Sequence, residues 1–290
     1  MDVVILASGT GWHTDELVRA VSARGLVPLL LPWEGNVGRM GREAGVRNDG
    51  RPLATARAVL PRILPRGTLE QLIYRVDTLH RLAEDGVRVM NTARAIERTV
   101  DKAWTSAILE RAGLPTPETV ACERVEDAFA AFHAMGDVVV KPLFGSMGLG
   151  MSRVSDEDMA WRVFRAIEAI RGVFYVQRFI PHGGRDLRAF VVGDRVLGAI
   201  ERRADGWRTN VSRGGRATAI TLPPAWADLA LRAAQAVGAE YAGVDLLPAD
   251  DGTVYVLEVN GIPGWEGLQG ATGIDVAGAV VDQLLQAHRP

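Results

Sequence analysis

The hardest constraint on this chain is a pair of short apolar strands near the C-terminus that carry acid among their hydrophobic residues. Gly243-Val244-Asp245-Leu246-Leu247 and Val256-Leu257-Glu258-Val259-Asn260 both have strand composition, and the turn signal Asp250-Asp251-Gly252 lies between them. A strand alternates its side chains between two faces. Glu258 and Asn260 therefore share a face, and Asp245 points away from Val244 and Leu246. A hairpin of the two runs brings Asp245 beside Glu258 and Asn260. Three oxygen-bearing side chains flanked by Val and Leu are costly to leave unpaired. A hard cation such as Mg²⁺ removes that cost, and Mg²⁺ usually completes its shell with water and substrate phosphates. The plainer alternative is an exposed polar hairpin face.

Two further patterns point to phosphate. Lys141 ends an apolar strand, and Gly145-Ser146-Met147-Gly148-Leu149-Gly150 follows it. Glycines let backbone N–H groups approach phosphate oxygens, and a nearby lysine adds a point charge. This is not a Walker loop, because no Gly-Lys-Ser/Thr opens a helix; a plain glycine-containing hairpin is the alternative. Beyond Gly183, the residues Arg185, Asp186, Arg188, Arg202, Arg203, Arg208, Arg213 and Arg216 are concentrated in one stretch. Converging arginines favour phosphate or carboxylate through forked hydrogen bonds. Arg202 and Arg208 fit that role, whereas Arg203 and Arg216 read as solvated surface.

The rest of the chain sets the frame. It has 290 residues, 48% hydrophobic and 23% charged, enough for one or two substantial cores. Its 33 basic and 35 acidic residues leave a net charge of -2, without the basic excess that marks a nucleic-acid partner. The single cysteine, Cys122, can form no internal disulfide. No run approaches the roughly 20 apolar residues of a membrane span, and the run Val3 to Ala7 is too short for a signal peptide. A cytoplasmic, reducing setting is expected.

The spacing predicts an α/β chain in three parts. Residues 1–92 open with the strand Val3 to Leu6, a loop at Ser8-Gly9-Thr10-Gly11, a helix over Asp15 to Arg24 and the strand Val27 to Leu31, a doubly wound beginning. Gly9-x-Gly11 lacks the third glycine of a dinucleotide loop. Residues 34 to 58 form a polar, Gly- and Arg-rich excursion; a helix over Leu69 to Glu84 and a strand ending at Asn91 follow. Residues 93–180 hold helices, strands and the glycine hairpin, which suggests a mobile flap. Residues 181–290 hold the charged strands and the acidic hairpin.

The ordered series Asp101-Lys102, Val139-Val140-Lys141-Pro142, the glycine loop 145–150, Gln177-Arg178-Phe179-Ile180, Asp186-Leu187-Arg188, Arg208-Thr209-Asn210, Arg213-Gly214-Gly215, Asp245 and Glu258-Val259-Asn260 resembles the RimK-type ATP-grasp ligases. Pro65-Arg66-Gly67-Thr68-Leu69-Glu70 and Arg75 to His80 are similar to the branch that adds L-glutamate to tetrahydromethanopterin-type cofactors. The resemblance implies an ATP-grasp fold behind an N-terminal pre-ATP-grasp lobe. It implies that Lys102, Lys141 and Gly145 to Gly148, including Ser146 and Met147, contact ATP phosphates. Gln177, Arg178, Phe179 and Ile180 would form the adenine hinge, and Asp186 would meet the ribose. Arg208 and Asn210 would sit at the γ-phosphate, with Arg202 beside them. Asp245, Glu258 and Asn260 would hold Mg²⁺, for which Mn²⁺ would substitute. The family often has Glu at the position of Arg178, which puts adenine affinity in question if that side chain matters.

The implied reaction turns a carboxylate into an acyl phosphate, which an amine, expected to belong to L-glutamate, displaces to form an amide on a small-molecule acceptor. Glutamylation of a peptide or protein C-terminus and a nucleotide sensor without turnover are the alternatives. The family also implies self-association into a homo-oligomer. Gly264-Trp265-Glu266-Gly267 is expected to border the acceptor, with Trp265 either stacking on it or packed in the core. Trp12 and His13 face the same cleft in this reading, His13 as a surface histidine.

Overall fold

The computed structural model describes residues 2–145, 148–209 and 216–286. Three sheets carry the architecture, and a small fourth is attached. The first contains the strands Pro28–Pro32, Val3–Ala7, Ala58–Pro61 and Arg88–Val89 in that spatial order, all parallel. Its central strands Val3–Ala7 and Ala58–Pro61 are buried throughout, as in parallel sheets covered on both faces, and the edge strand Pro28–Pro32 is half-buried. The helices Trp12–Ser22 and Leu69–Glu84 cover it, the latter opened by a Thr68–Gln71 capping box. The chain runs from Val3–Ala7 to Pro28–Pro32 on one side and then crosses to Ala58–Pro61 on the other, so the topological switch lies between Val3–Ala7 and Ala58–Pro61.

Two expectations for this lobe are corrected. Within the polar excursion, the strands Asn36–Arg39, Gly45–Asn48 and Arg51–Pro52 form an antiparallel sheet, stitched by Asn48 to Pro32 and Asn36. Side-chain amides supply much of its order, so it lacks an apolar signature. The first helix begins at Trp12 rather than Asp15, because the backbone enters it directly from Gly11.

The second sheet has the order Ser152–Val154, Val138–Lys141, Phe174–Arg178, Thr119–Cys122, all antiparallel. The helices Val125–Met135 and Glu157–Ala169 pack against it through Phe132, Phe164 and Phe174. The glycine loop joins Val138–Lys141 to Ser152–Val154. Gly150 is required there: its φ is +75°, and a Cβ would lie 2.8 Å from the Pro142 ring.

The third sheet runs Arg216–Ile220, Arg195–Arg203, Arg185–Val192, Tyr241–Pro248, Val254–Asn260. One face, with Leu187, Ala189, Val244 and Leu246, packs on the helix Pro224–Val237. The other face changes character along the strands. Phe190, Val192 and Tyr241 join Val3, Ile5 and Leu60 of the first lobe in a shared core, while Asp186, Arg188 and Asp245 lie two or more residues away at the polar end. Buried Asn91 pins the lobes together, donating to the carbonyls of Tyr241 (2.7 Å) and Gly261 (2.6 Å) and accepting from the Glu240 amide (2.7 Å). Gly261 permits this approach, since a Cβ there would meet Thr99 Oγ1 at 2.5 Å. Among the described residues no helix is long and apolar enough to cross a membrane.

Candidate functional site

The acidic strands pair as a hairpin, with a shift of register between Asp245 and Leu246 that leaves Leu257 unpaired. Asp245 stands directly opposite Glu258, and Gly243 opposite Asn260. The next ladder sets Arg188 opposite Asp245, and the one beyond sets Arg202 opposite Asp186. Cross-strand neighbours of this kind are within contact range, and the charges use it. Arg188 grips Asp245 through Nε (2.7 Å) and Nη2 (2.8 Å). Arg202 grips Asp186 through Nε (2.7 Å) and Nη2 (2.6 Å) and also reaches Asp245 at 3.1 Å. Burial by itself would raise the Asp245 pKa, but Arg188 and Arg202 outweigh it and hold the carboxyl down at about 2. Burial opposes the charge on Arg202, and the two aspartates override that and raise it.

Facing this lattice are two lysines. Lys102 is the first residue of the helix Lys102–Arg111, whose N-cap Asp101 accepts from the Trp104 amide. Its ammonium donates to the Gly145 carbonyl at 2.8 Å, tying the glycine loop down. Burial lowers its pKa, and Glu258 and Asp101 work against the shift. Lys141 donates to Gln177 Oε1 at 2.6 Å. The Gln177 amide is oriented by Thr119 (2.9 Å) and the Tyr175 hydroxyl (3.0 Å), and that hydroxyl meets Ser106 at 2.8 Å. Burial pushes Lys141 down to about 8, Glu258 and Asp245 counter it, and neighbouring Lys102 reinforces it. The helix Lys102–Arg111 packs against the strand Val254–Asn260, and the charge of Glu258 acts on both lysines. Among the described residues Glu258 forms no hydrogen bond or ion pair, and it is half-buried.

The remaining expected residues fall around this centre. Arg178 turns its side chain to Glu118 and the Met135 carbonyl, within the central lobe. Phe179 anchors its amide on Asp137 (2.9 Å) and its ring under Arg153, and Ile180 follows, half-buried, at the crossing between lobes. Both oxygens of Asp186 are engaged by Arg202, which leaves a ribose only its remaining lone pairs. Arg208 donates to the Met151 carbonyl at the base of the glycine hairpin and lies over the Trp207 ring. Gly148 is buried with φ +66°. Ser146, Met147, Asn210, Arg213, Gly214 and Gly215 lie outside the described residues. Arg188, which the sequence places beside Asp186 without a role, proves to be the main partner of Asp245. Period-two alternation signals its face, but only the register reveals the partner.

Two aromatic expectations resolve. Trp265 is 1% exposed and packed against Phe190, with the Arg62 guanidinium 4.7 Å from its ring, so it belongs to the core and does not stack on a ligand. His13 is not a surface histidine. Its Nε2 accepts from the Trp265 amide at 3.0 Å, and burial, aided by Arg62, lowers its pKa to about 4.

Donor chemistry fits Mg²⁺ and a polyphosphate. Asp245 and Glu258 supply ionisable oxygens side by side, and Asn260 adds an amide oxygen that also accepts from the Ile262 amide at 3.0 Å. Among the described residues no group of three or more His, Cys, Asp or Glu converges. Two carboxylates and an amide need phosphate and water oxygens to complete an octahedron.

Residues 99–284 match the model of the RimK-like ATP-grasp domain. The chain belongs to the RimK-like ATP-grasp family. A tetrahydromethanopterin:alpha-L-glutamate ligase from Methanosarcina acetivorans is 34% identical over 94% of this chain and 95% of its own length. Among solved structures, the RimK domain ATP-grasp protein from Sphaerobacter thermophilus superposes with a TM-score of 0.77 at 26% identity, covering 98% of this chain and all of that one. The ATP-grasp ligase PsnB, complexed with a minimal precursor, gives 0.78 at 25% identity over 97% of both chains.

Proposed function

We propose that this ATP-grasp ligase joins L-glutamate, through its amine, to a carboxylate of a small pterin-type acceptor, using ATP and Mg²⁺. The observation that carries the reading is the packing of the helix headed by Lys102 on the strand that bears Glu258, with Lys141 also within reach of the Glu258 charge. The near-full-length likeness to a tetrahydromethanopterin:alpha-L-glutamate ligase supports the substrate pair. In this reading residues 93–180 and 181–290 grip the nucleotide, and residues 1–92 complete the substrate side. Mn²⁺ shares the oxygen-donor preference and substitutes for Mg²⁺.

Mg·ATP supplies the phosphoryl group that converts the acceptor carboxylate to an acyl phosphate. The chain contributes positioning and charge, which is most of what phosphoryl transfer asks of a protein. Lys102 and Lys141 contact phosphate oxygens. Gln177 aims Lys141. Asp245, Glu258 and Asn260 hold the metal, with Arg188 and Arg202 keeping Asp245 ionised and fixed. Arg208, tied to Met151, couples the glycine hairpin to the C-terminal lobe, so the loop excludes water that would hydrolyse the acyl phosphate. The resemblance puts Asn210 at the γ-phosphate.

The test is ADP release with Mg²⁺, L-glutamate and a panel of pterin and peptide acceptors. Release only with glutamate and a pterin carboxylate is expected. Glu258→Gln should lower it at least about 100-fold while leaving the melting temperature near that of the native chain. Full activity in that variant refutes the metal assignment, and release with peptide acceptors alone refutes the pterin.

A further inference from the structure

Three arginines in the described residues are almost wholly buried: Arg62, Arg75 and Arg202. Arg75 has Glu34 within 3.7 Å, and Arg202 has Asp186 and Asp245. Arg62, 3% exposed, has no carboxylate partner among the described residues. Its Nη1 donates to the Pro263 carbonyl at 3.2 Å, and its guanidinium lies against the Trp265 ring. A carbonyl, an aromatic face and the neighbouring Tyr241 hydroxyl supply no counter-charge, and they compensate a buried cation with five N–H groups only partly.

Arg62 follows the strand Ala58–Pro61 and lines a crevice of about 280 Å³. The other walls are the loop Ser8 to Gly11 and the start of the helix Trp12–Ser22. This is the switch point of a parallel sheet, outside the carboxyl ends of its strands, where such sheets receive ligands. No side chain caps that helix, so its first N–H groups and the positive end of its dipole bear on the crevice. The crevice also adjoins the segment that leaves the metal strand. Asn260 accepts from Ile262, Arg62 donates to Pro263, and His13 accepts from Trp265.

We propose that Arg62 and the N-terminus of the first helix bind a carboxylate of the amine-supplying amino acid, seated in this crevice beside the acyl-phosphate site. The inference rests on the ligase reading. The volume accommodates an amino acid. Arg62 supplies the charge-assisted fork. The Gly11-to-Trp12 entry supplies backbone donors. His13, whose Nε2 accepts from Trp265, carries its ring proton on Nδ1 at neutral pH and adds no second charge.

Calorimetric titration of L-glutamate into the full chain, with and without Mg·ADP, tests this. Arg62→Gln should weaken glutamate binding roughly 10- to 100-fold, with Arg62→Lys in between. Mg·ADP affinity should be unchanged in both. Because Arg62 is buried, Ser8→Trp provides the second variant: Ser8 is exposed on the crevice wall. This change should block glutamate without lowering the melting temperature. Unaltered glutamate affinity in Ser8→Trp, or loss of affinity for a pterin carboxylate in place of glutamate, overturns the assignment. Absence of glutamate binding to the native chain while Mg·ADP still binds also overturns it, and leaves the nucleotide reading standing.

Discussion

The third sheet and the lysine pair border the same cleft, and they handle charge in opposite ways. On the sheet, Asp186, Arg188, Arg202 and Asp245 are locked by five contacts of 3.1 Å or less, and every one of these side chains has a partner of opposite sign. On the other side, Lys141 rests on a neutral amide and Lys102 on a carbonyl; burial lowers the pKa of both, and the charge of Lys102 adds to the shift at Lys141. The first region has its charges paired without a ligand, and Asp245 offers a metal only the lone pairs that Arg188 and Arg202 leave free. The second is held short of a counter-charge, and a polyphosphate provides one.

The largest effect should come from breaking the completed lattice. Arg202→Met leaves Asp186 buried with no ion-pair partner and Asp245 with Arg188 alone. Removing one member of a buried pair is destabilising by about 3–5 kcal/mol, read as a lowered denaturation midpoint. Removing both members, in Arg202→Met with Asp186→Leu, should recover much of that loss, because no uncompensated charge remains. If the single variant unfolds at the native midpoint, the lattice is not holding the sheet.

That lattice also shows how far the sequence alone could reach. Period-two alternation put Asp245, Glu258 and Asn260 together because each strand is short, apolar and closed by a clear turn. The glycine hairpin and the helix Leu69–Glu84 were legible for similar reasons of strong local pattern. What escaped depends on partners distant in sequence. Arg188 is two residues from Asp186, yet its partner lies 57 positions away. The strand Ala58–Pro61 has four residues, with prolines at 61 and 65, and so lacks the length of a recognisable core strand. With it went Arg62. A doubly wound lobe that places one strand at Val3 and the next at Pro28 needs a third parallel strand, and that requirement was the available signal. The edge strand Arg216–Ile220 is mostly exposed and carries little apolar pattern.

A smaller effect on the fold, with a clear effect on binding, is expected from the lysine side. Lys141→Met removes a desolvated charge and its bond to Gln177 while keeping most of the volume. If the lysine is held for phosphate, Mg·ADP affinity should fall roughly 10- to 100-fold, and the melting temperature should hold or rise. A drop in melting temperature with unchanged nucleotide affinity would reverse the contrast, making Lys141 a structural anchor for Gln177.

The smallest expected effect is on pH, where stability and binding should move in opposite directions. In the nucleotide-free chain Lys141 loses its proton near pH 8, whereas an unfolded lysine holds it to about 10.5. Below pH 8 both states carry the proton, and the folded state bears the full penalty of a desolvated ammonium. Between 8 and 10.5 the unfolded chain binds the additional proton, so this residue's contribution to stability rises with pH. Phosphate, by contrast, requires the ammonium, so nucleotide affinity should fall above pH 8, by at most about tenfold per unit. Lys141→Met should flatten this residue's part of both profiles. Parallel decline of affinity and stability through that window, unchanged in the variant, would assign the titration to another group and remove the distinction between a lattice that is satisfied and a lysine that is waiting for charge.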